Sequence, residues 1–267
     1  MKKVVWILAG ISVATGCKKQ ASAPTDLVDL APYLFGNQAD PTLLSGGLTS
    51  LATWMDTRGA AEPGYILPAL SSDAVAQIVI PPGTDPADTL GGFVDAQSTA
   101  TLDQQVAFIM LPDQSVVNPN DYSKNERAFV TGGDCFADET CERLTTTNDI
   151  IKTAAFGVTI PYVYFKDYQW ATYTDADGND QKAVVSRGWI EVEGWDDAHQ
   201  NGVRQSYTLD VFMDTSDGTV HRSQALWTEM VLVIDGLVSQ DFLEQQLLDG
   251  LTGVLSDTDA AIIAQGL

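Results

Sequence analysis

The chain has 267 residues and carries 14 Lys and Arg against 36 Asp and Glu, a formal net charge of −22. An acidic field of that size repels nucleic acid and anionic lipid head groups, and no basic cluster beyond the first nineteen residues counters it, so nucleic acid is not an expected partner. Hydrophobic residues make up 45% of the chain with six Trp, and the acids are scattered rather than run together, which predicts a folded core instead of disorder.

Lys2 and Lys3 open the chain, Val4 to Ala14 form an apolar run, and Ala14-Thr15-Gly16 leads through small residues to Cys17. A run of about 11 residues cannot cross a hydrocarbon core, which takes roughly 20. The arrangement resembles a bacterial lipoprotein signal, a lipobox signal peptide cut before a cysteine that carries a diacylglyceryl thioether. The resemblance implies a signal peptide over 1–16, lipidation at Cys17 and a tether over 17–26, so that the partner is a membrane engaged through the lipid anchor. Lys18, in place of Asp after the cysteine, implies the outer membrane of a bacterial cell envelope. Loss of Lys2 and Lys3 with the leader takes the net charge to −24. Lys18 and Lys19 add a basic patch beside the bilayer.

Residues 27–267 read as a globular α+β domain, with a subdivision near 134–150 left open. Asp40-Pro41 has the form of an N-cap followed by Pro at the first helical position, and Leu44, Leu48, Leu51 and Met55 recur on one face, predicting a helix over 41–56. Gly46 and Gly47 inside it each cost about 1 kcal/mol against Ala. Val75 to Pro81 and Val106 to Pro112 read as two short strands closed by Pro, which cannot donate to a continuing ladder. The N-terminal half is thus mixed helix and strand.

Cys135 and Cys141, six apart in a Gly-rich acidic loop of an exported chain, predict a disulfide. A zinc site is the alternative, but it wants four ligands and the nearest His is His199. From Phe156 to Ile234 strand-like runs alternate with polar turns at 175–180, 196–202 and 216–218, the pattern of an antiparallel β-meander. Its clearest alternation sets Val203, Tyr207, Leu209, Val211 and Met213 against Arg204, Ser206, Thr208, Asp210 and Asp214, read as one buried face and one wet face. Ser239 caps a C-terminal helix to about residue 256, whose stripe Leu243, Leu247, Leu251 and Val254 is expected to pack across the sheet.

Chemical constellations are sparse. Asp175-Ala-Asp-Gly-Asn-Asp180 resembles part of a calcium loop. Aligning Gly178 with that loop's Gly puts Tyr173 and Val184 at its first and last ligand positions, so a hairpin turn is the better reading. His199 and His221 lie in a polar turn and at a strand start, where exposed surface positions are expected. Gly-x-Ser-x-Gly, P-loop and Gly-x-Gly-x-x-Gly patterns are missing from the sequence. Trp189, Glu191, Glu193 and Trp195, placed on one strand face, with Trp227 and Glu229 on another, form a candidate binding face where aromatic rings and acids meet. No catalytic residue, metal or cofactor is assigned.

The leading expectation is a lipid-anchored envelope protein with a non-enzymatic role, binding an unidentified envelope protein or small ligand. A second is a helix-grip-like carrier, its strands over 156–234 curled around the helix over 239–256 to hold an apolar small molecule. A third is a glycan-active hydrolase using paired carboxylates.

Overall fold

The computed structural model describes residues 22–58, 64–117, 122–153, 158–233 and 239–267. The leader, Cys17 and Lys18 lie outside those residues, as do Phe156 and Ile234 at the ends of the expected meander. Helix α1 (Leu27–Gly36) starts at Asp26, whose carboxylate accepts from the Val28 N–H. Helix α2 (Pro41–Thr57) starts at Asp40, which accepts from Thr42 and Leu43, with Pro41 where its missing N–H costs nothing. Gly47 has a packing reason: a Cβ there would lie 2.6 Å from Leu34 Cδ2, so the bare backbone lets α2 close on α1.

The two short strands expected in the N-terminal half are corrected. Residues 75–77 form a turn and 78–81 run on without regular secondary structure, and Val75 is buried in the core without joining the sheet. Residues 106–109 belong to helix α3 (Leu102–Ile109). Thr101 and Gln104 form a reciprocal capping box that starts this helix, and Leu102, Val106 and Ile109 then fall on one face. The strands of the N-terminal half are instead β1 (Tyr65–Leu67) and β2 (Leu90–Ser98).

Seven further strands follow: β3 (Tyr122–Thr131), β4 (Arg143–Thr153), β5 (Thr159–Thr174), β6 (Asp180–Ile190), β7 (Gly194–Trp195), β8 (Gly202–Asp214) and β9 (Val220–Val231). They form one antiparallel sheet in the order β1-β2-β9-β8-β6-β5-β4-β3, with β7 paired to β8. Apart from β7, the strands from β3 to β9 are therefore a meander, and α3 carries the chain from one sheet edge to the other so that β9 can dock on β2. β5 runs unbroken through Lys166 and Asp167 for 16 residues. The disulfide joins Cys135 to Cys141 with their Cα atoms 5.4 Å apart, in the β3–β4 turn, and Phe136 inside that loop is fully buried against Tyr168 and Trp170.

Both faces of the sheet are covered. On the outer face Leu34, Phe35, Leu44 and Leu48 of α1 and α2 pack on Tyr207, Leu209, Val211 and Trp227. On the inner face lie α3 and the long helix α4 (Gln240–Gln265), capped by Ser239 and closed by Gly266 in the left-handed region. Leu251 and Leu255 of α4 pack on Val94 of β2. α4 extends nine residues past the expected end because Gly253 is tolerated within it.

The edge at β2 is fastened by charge. Asp95, almost wholly buried, accepts from Arg58 at the end of α2 and lies 2.7 Å from His221 Nε2 on β9. His221 is therefore half-buried in an ion-pair cluster, which corrects its reading as a surface residue. Burial pushes the Asp95 carboxyl up, but hydrogen bonds from His221 and Arg58 more than offset this and hold it below the ordinary Asp range. The stability it contributes is present above about pH 4 and is lost as pH falls through its depressed folded value. Asp95→Asn leaves Arg58 buried without a counter-ion and is expected to lower unfolding free energy by about 3 kcal/mol at neutral pH. Urea denaturation measures this, and a loss that did not shrink on acidification would contradict the assignment.

Candidate functional site

A strand turns alternate side chains to opposite faces, so the inner face is set by every second residue of β5, β8 and β9. On β5 these are Tyr162, Tyr164, Lys166 and Tyr168; on β8, beyond a register shift between Val203 and Gln205, they are Ser206, Thr208, Asp210 and Phe212. The face of β8 expected to be wet is thus turned inward: Asp210 and Ser206 are buried beneath the inner helices. Between this face and α4 lies a cavity of about 540 Å3, within the size range of sites that enclose small organic ligands.

The ladder divides the cavity into two ends. Ile150 pairs with Tyr162 and Val203 with Met230, giving an apolar end. Leu243 and Leu247 of α4 also line the cavity, and Leu247 packs in the same cluster as Leu226 of β9. Further along, Tyr168, Ser186, Asp210 and Gln224 are register partners in one row, next to the row of Lys166, Gly188, Thr208 and Leu226. This polar end is approached by the C-terminal half of α4, whose Leu255 carbonyl accepts from Arg222. Gly188 is required there: a Cβ would meet Tyr164 Cε1 at 2.4 Å and Thr208 Oγ1 at 2.8 Å.

The polar end is an organised charge cluster. Lys166 Nζ lies 2.8 Å from Asp210 Oδ2, which also accepts from Ser186 Oγ at 2.8 Å. Burial opposes both charges, yet Asp210 raises the Lys166 ammonium above its ordinary value, while Lys166 and the hydrogen bonds bring the Asp210 carboxyl below its own. Burial lowers the Arg222 guanidinium, with Asp210 and Asp259 opposing. Burial pushes Tyr164, which donates to Thr208 Oγ1 at 3.0 Å, up to about 12.

The residues singled out from sequence are scattered around this site. β6 ends at Ile190, so Trp189, Glu191, Glu193 and Trp195 do not share one strand face, a correction that follows from the bend at 191–193. Trp189 and Trp227 belong to the outer-face core, where Phe35 packs edge-on to Trp227 at 5.8 Å. Glu191 accepts from Trp189 Nε1, and Glu193 accepts from Trp195 Nε1. Arg204 bridges Glu193, at 3.1 Å, and Glu229. Of these six residues Glu229 alone lines the cavity. Asp175 is a turn residue: its carboxylate takes the N–H groups of Asp177 and Asn179, while Gly178 supplies the positive φ. The sequence reading passed over Arg127, Lys166, Asp210 and Arg222. The period-two run Tyr162, Tyr164, Lys166, Tyr168 was the available signal, since aromatic residues on the same side as a lysine point to a lined interior.

No protein-family model matches the chain, and no curated protein does. Similar solved structures include TTHA0849 from Thermus thermophilus, at 11% identity over 66% of this chain and 98% of that one, with a TM-score of 0.40. A STAR-related lipid transfer protein fragment from Xanthomonas axonopodis is 10% identical over 66% and 86%, with a TM-score of 0.42. A conserved protein from Geobacillus kaustophilus is 10% identical over 65% and 94%, with a TM-score of 0.35. These are likenesses of outline alone.

Lys166 and Asp210 are expected to behave as a unit. Lys166→Met alone strands a buried carboxylate and should cost about 3 to 5 kcal/mol, whereas Lys166→Met with Asp210→Leu should recover most of that loss. Urea unfolding of the four members of this cycle gives the coupling, and additive losses would show that the two charges act independently.

Proposed function

We propose that the protein is a non-enzymatic carrier that encloses an apolar small molecule between its sheet and α4. The observation that carries this reading is the cavity of about 540 Å3, lined from α4 by Leu243, Leu247, Leu251 and Val254. Burying apolar surface is worth about 25 cal/mol per Å2, so an apolar guest gains most of its affinity along this wall. The acids of the candidate binding face support the reading from the other side: Glu193 and Glu229 are tied to one guanidinium, that of Arg204.

Val254→Trp places a large ring in the empty volume. It should leave the thermal transition within a few degrees of the parent while abolishing uptake of 1-dodecanol, measured by isothermal titration calorimetry. A parent that takes up no 1-dodecanol, or a filled variant that binds it as well, would remove the carrier reading.

The same reading keeps the protein at the envelope through an acylated Cys17, supported by the residues from Lys2 to Lys18. Cys17→Ser is expected to move the protein from the membrane to the soluble fraction or to leave the leader uncut. Unchanged fractionation together with cleavage at the same bond would contradict the anchor.

A further inference from the structure

Positive charge is scarce in this chain, and it gathers in the cavity. Of the 14 Lys and Arg, four precede residue 22; of the remaining ten, Arg127, Lys152, Lys166 and Arg222 line the cavity. From 36 acids the cavity takes Asp88, Asp210 and Glu229. The cavity lining is therefore far richer in cations relative to acids than the chain as a whole.

Arg127 is the informative member. Four other cations shielded from solvent are held by carboxylates: Arg58 by Asp95, Lys166 by Asp210, Arg187 by Asp167 and Arg222 by Asp259. Arg127 is 9% exposed and has no such ion pair; it donates Nη1 to the Ile109 carbonyl and Nε to Asn148 Oδ1 at 3.4 Å, and lies over the Tyr168 ring at 5.5 Å. A guanidinium has five donors in a planar fork, and a buried charge without a counter-ion is costly. Gln224, in the row of Asp210, has a buried amide oxygen with no hydrogen-bond partner. At the polar end Lys166 is paired with Asp210 and Arg222 with Asp259, which leaves the charge of Arg127 unbalanced there; Lys152 and Glu229 line the cavity at its other end, beside Ile150 and Met230.

From this geometry we infer that the guest is a long-chain carboxylate, its head on the Arg127 fork at the polar end and its chain along α4 toward Leu243; this deepens the carrier reading and rests on it. A carboxylate matches the fork with two parallel hydrogen bonds and supplies the single negative charge that the cluster lacks. The chain then lies against Leu251, Leu247 and Leu243 of α4.

The test compares probes with the same chain and different heads. Calorimetric titration of the full-length protein with dodecanoate, 1-dodecanol and dodecyl phosphate should give dodecanoate about tenfold or more tighter than the alcohol, the factor expected for a buried charge-assisted pair. Arg127→Gln should bring dodecanoate down to the affinity of the alcohol while the alcohol's own affinity stays, and Arg127→Lys should keep much of the preference. If Arg127→Gln does not fold, the comparison of heads on the parent protein decides. Equal affinity of parent protein for dodecanoate and 1-dodecanol would overturn the carboxylate head and leave the carrier reading standing. Binding of none of the probes would overturn both. Dodecyl phosphate bound tighter than dodecanoate would overturn the single-charge assignment.

Discussion

Covering both faces of the sheet is the constraint on which the rest of the molecule depends. The outer face meets α1 and α2 through Leu, Phe, Tyr and Trp and closes into one apolar core. The inner face carries Lys166, Asp210, Arg222 and Thr208, and once α3 and α4 cover it these groups lose water. Burying them is tolerable because they answer one another: lysine to aspartate, aspartate to serine, tyrosine to threonine. α3 and α4 do not fill the inner face of a nine-stranded sheet, so the polar network remains beside empty space. The cavity is thus a consequence of topology, with its chemistry set by which residues fall on the inward parity of β5, β8 and β9.

That parity also explains why stability alone does not account for the inner face. Replacing a buried ion pair by apolar residues of similar volume is often neutral or stabilising. An inner face of Leu and Val would have packed more simply against the stripe on α4. The mutually bonded charges Lys166, Asp210 and Arg222 instead gather toward one end of the cavity, while Ile150, Val203 and Met230 line the other, with Lys152 and Glu229 beside them. A molecule with one polar and one apolar end matches such a lining, and a wholly apolar guest would leave the polar end unused.

Much of the architecture was legible in the residues. Asp40-Pro41 marks the start of α2 through a carboxylate that satisfies two end N–H groups, and Ser239 marks α4 in the same way. Strand and turn spacing pointed to the meander because Gly178 and Gly218 supply the positive φ that tight turns demand. The failures have physical causes. Val106 to Ile109 is as apolar as a strand, and only the Thr101–Gln104 capping box distinguishes it. The alternation on β8 was correctly seen, but period two reports that two faces differ, not that one faces solvent. Ser206 and Asp210 were assigned to water because a single strand cannot announce that a helix far along the chain will cover it.

The candidate site was less legible because its members come from β3, β5, β8, β9 and α4, brought together by a sheet order that puts the two chain-distant strands β2 and β9 side by side. Trp189 with Glu191 and Glu193 drew attention through proximity in sequence, yet the end of β6 at Ile190 breaks their common face. Lys166 and Asp210 are 44 residues apart and meet at 2.8 Å. Each looks like an ordinary surface charge on its own strand. What identifies them jointly is scarcity: in a chain with so few cations, a lysine flanked at period two by tyrosines is an expensive residue to bury, and its position on a long central strand already argues that a carboxylate from another strand must meet it.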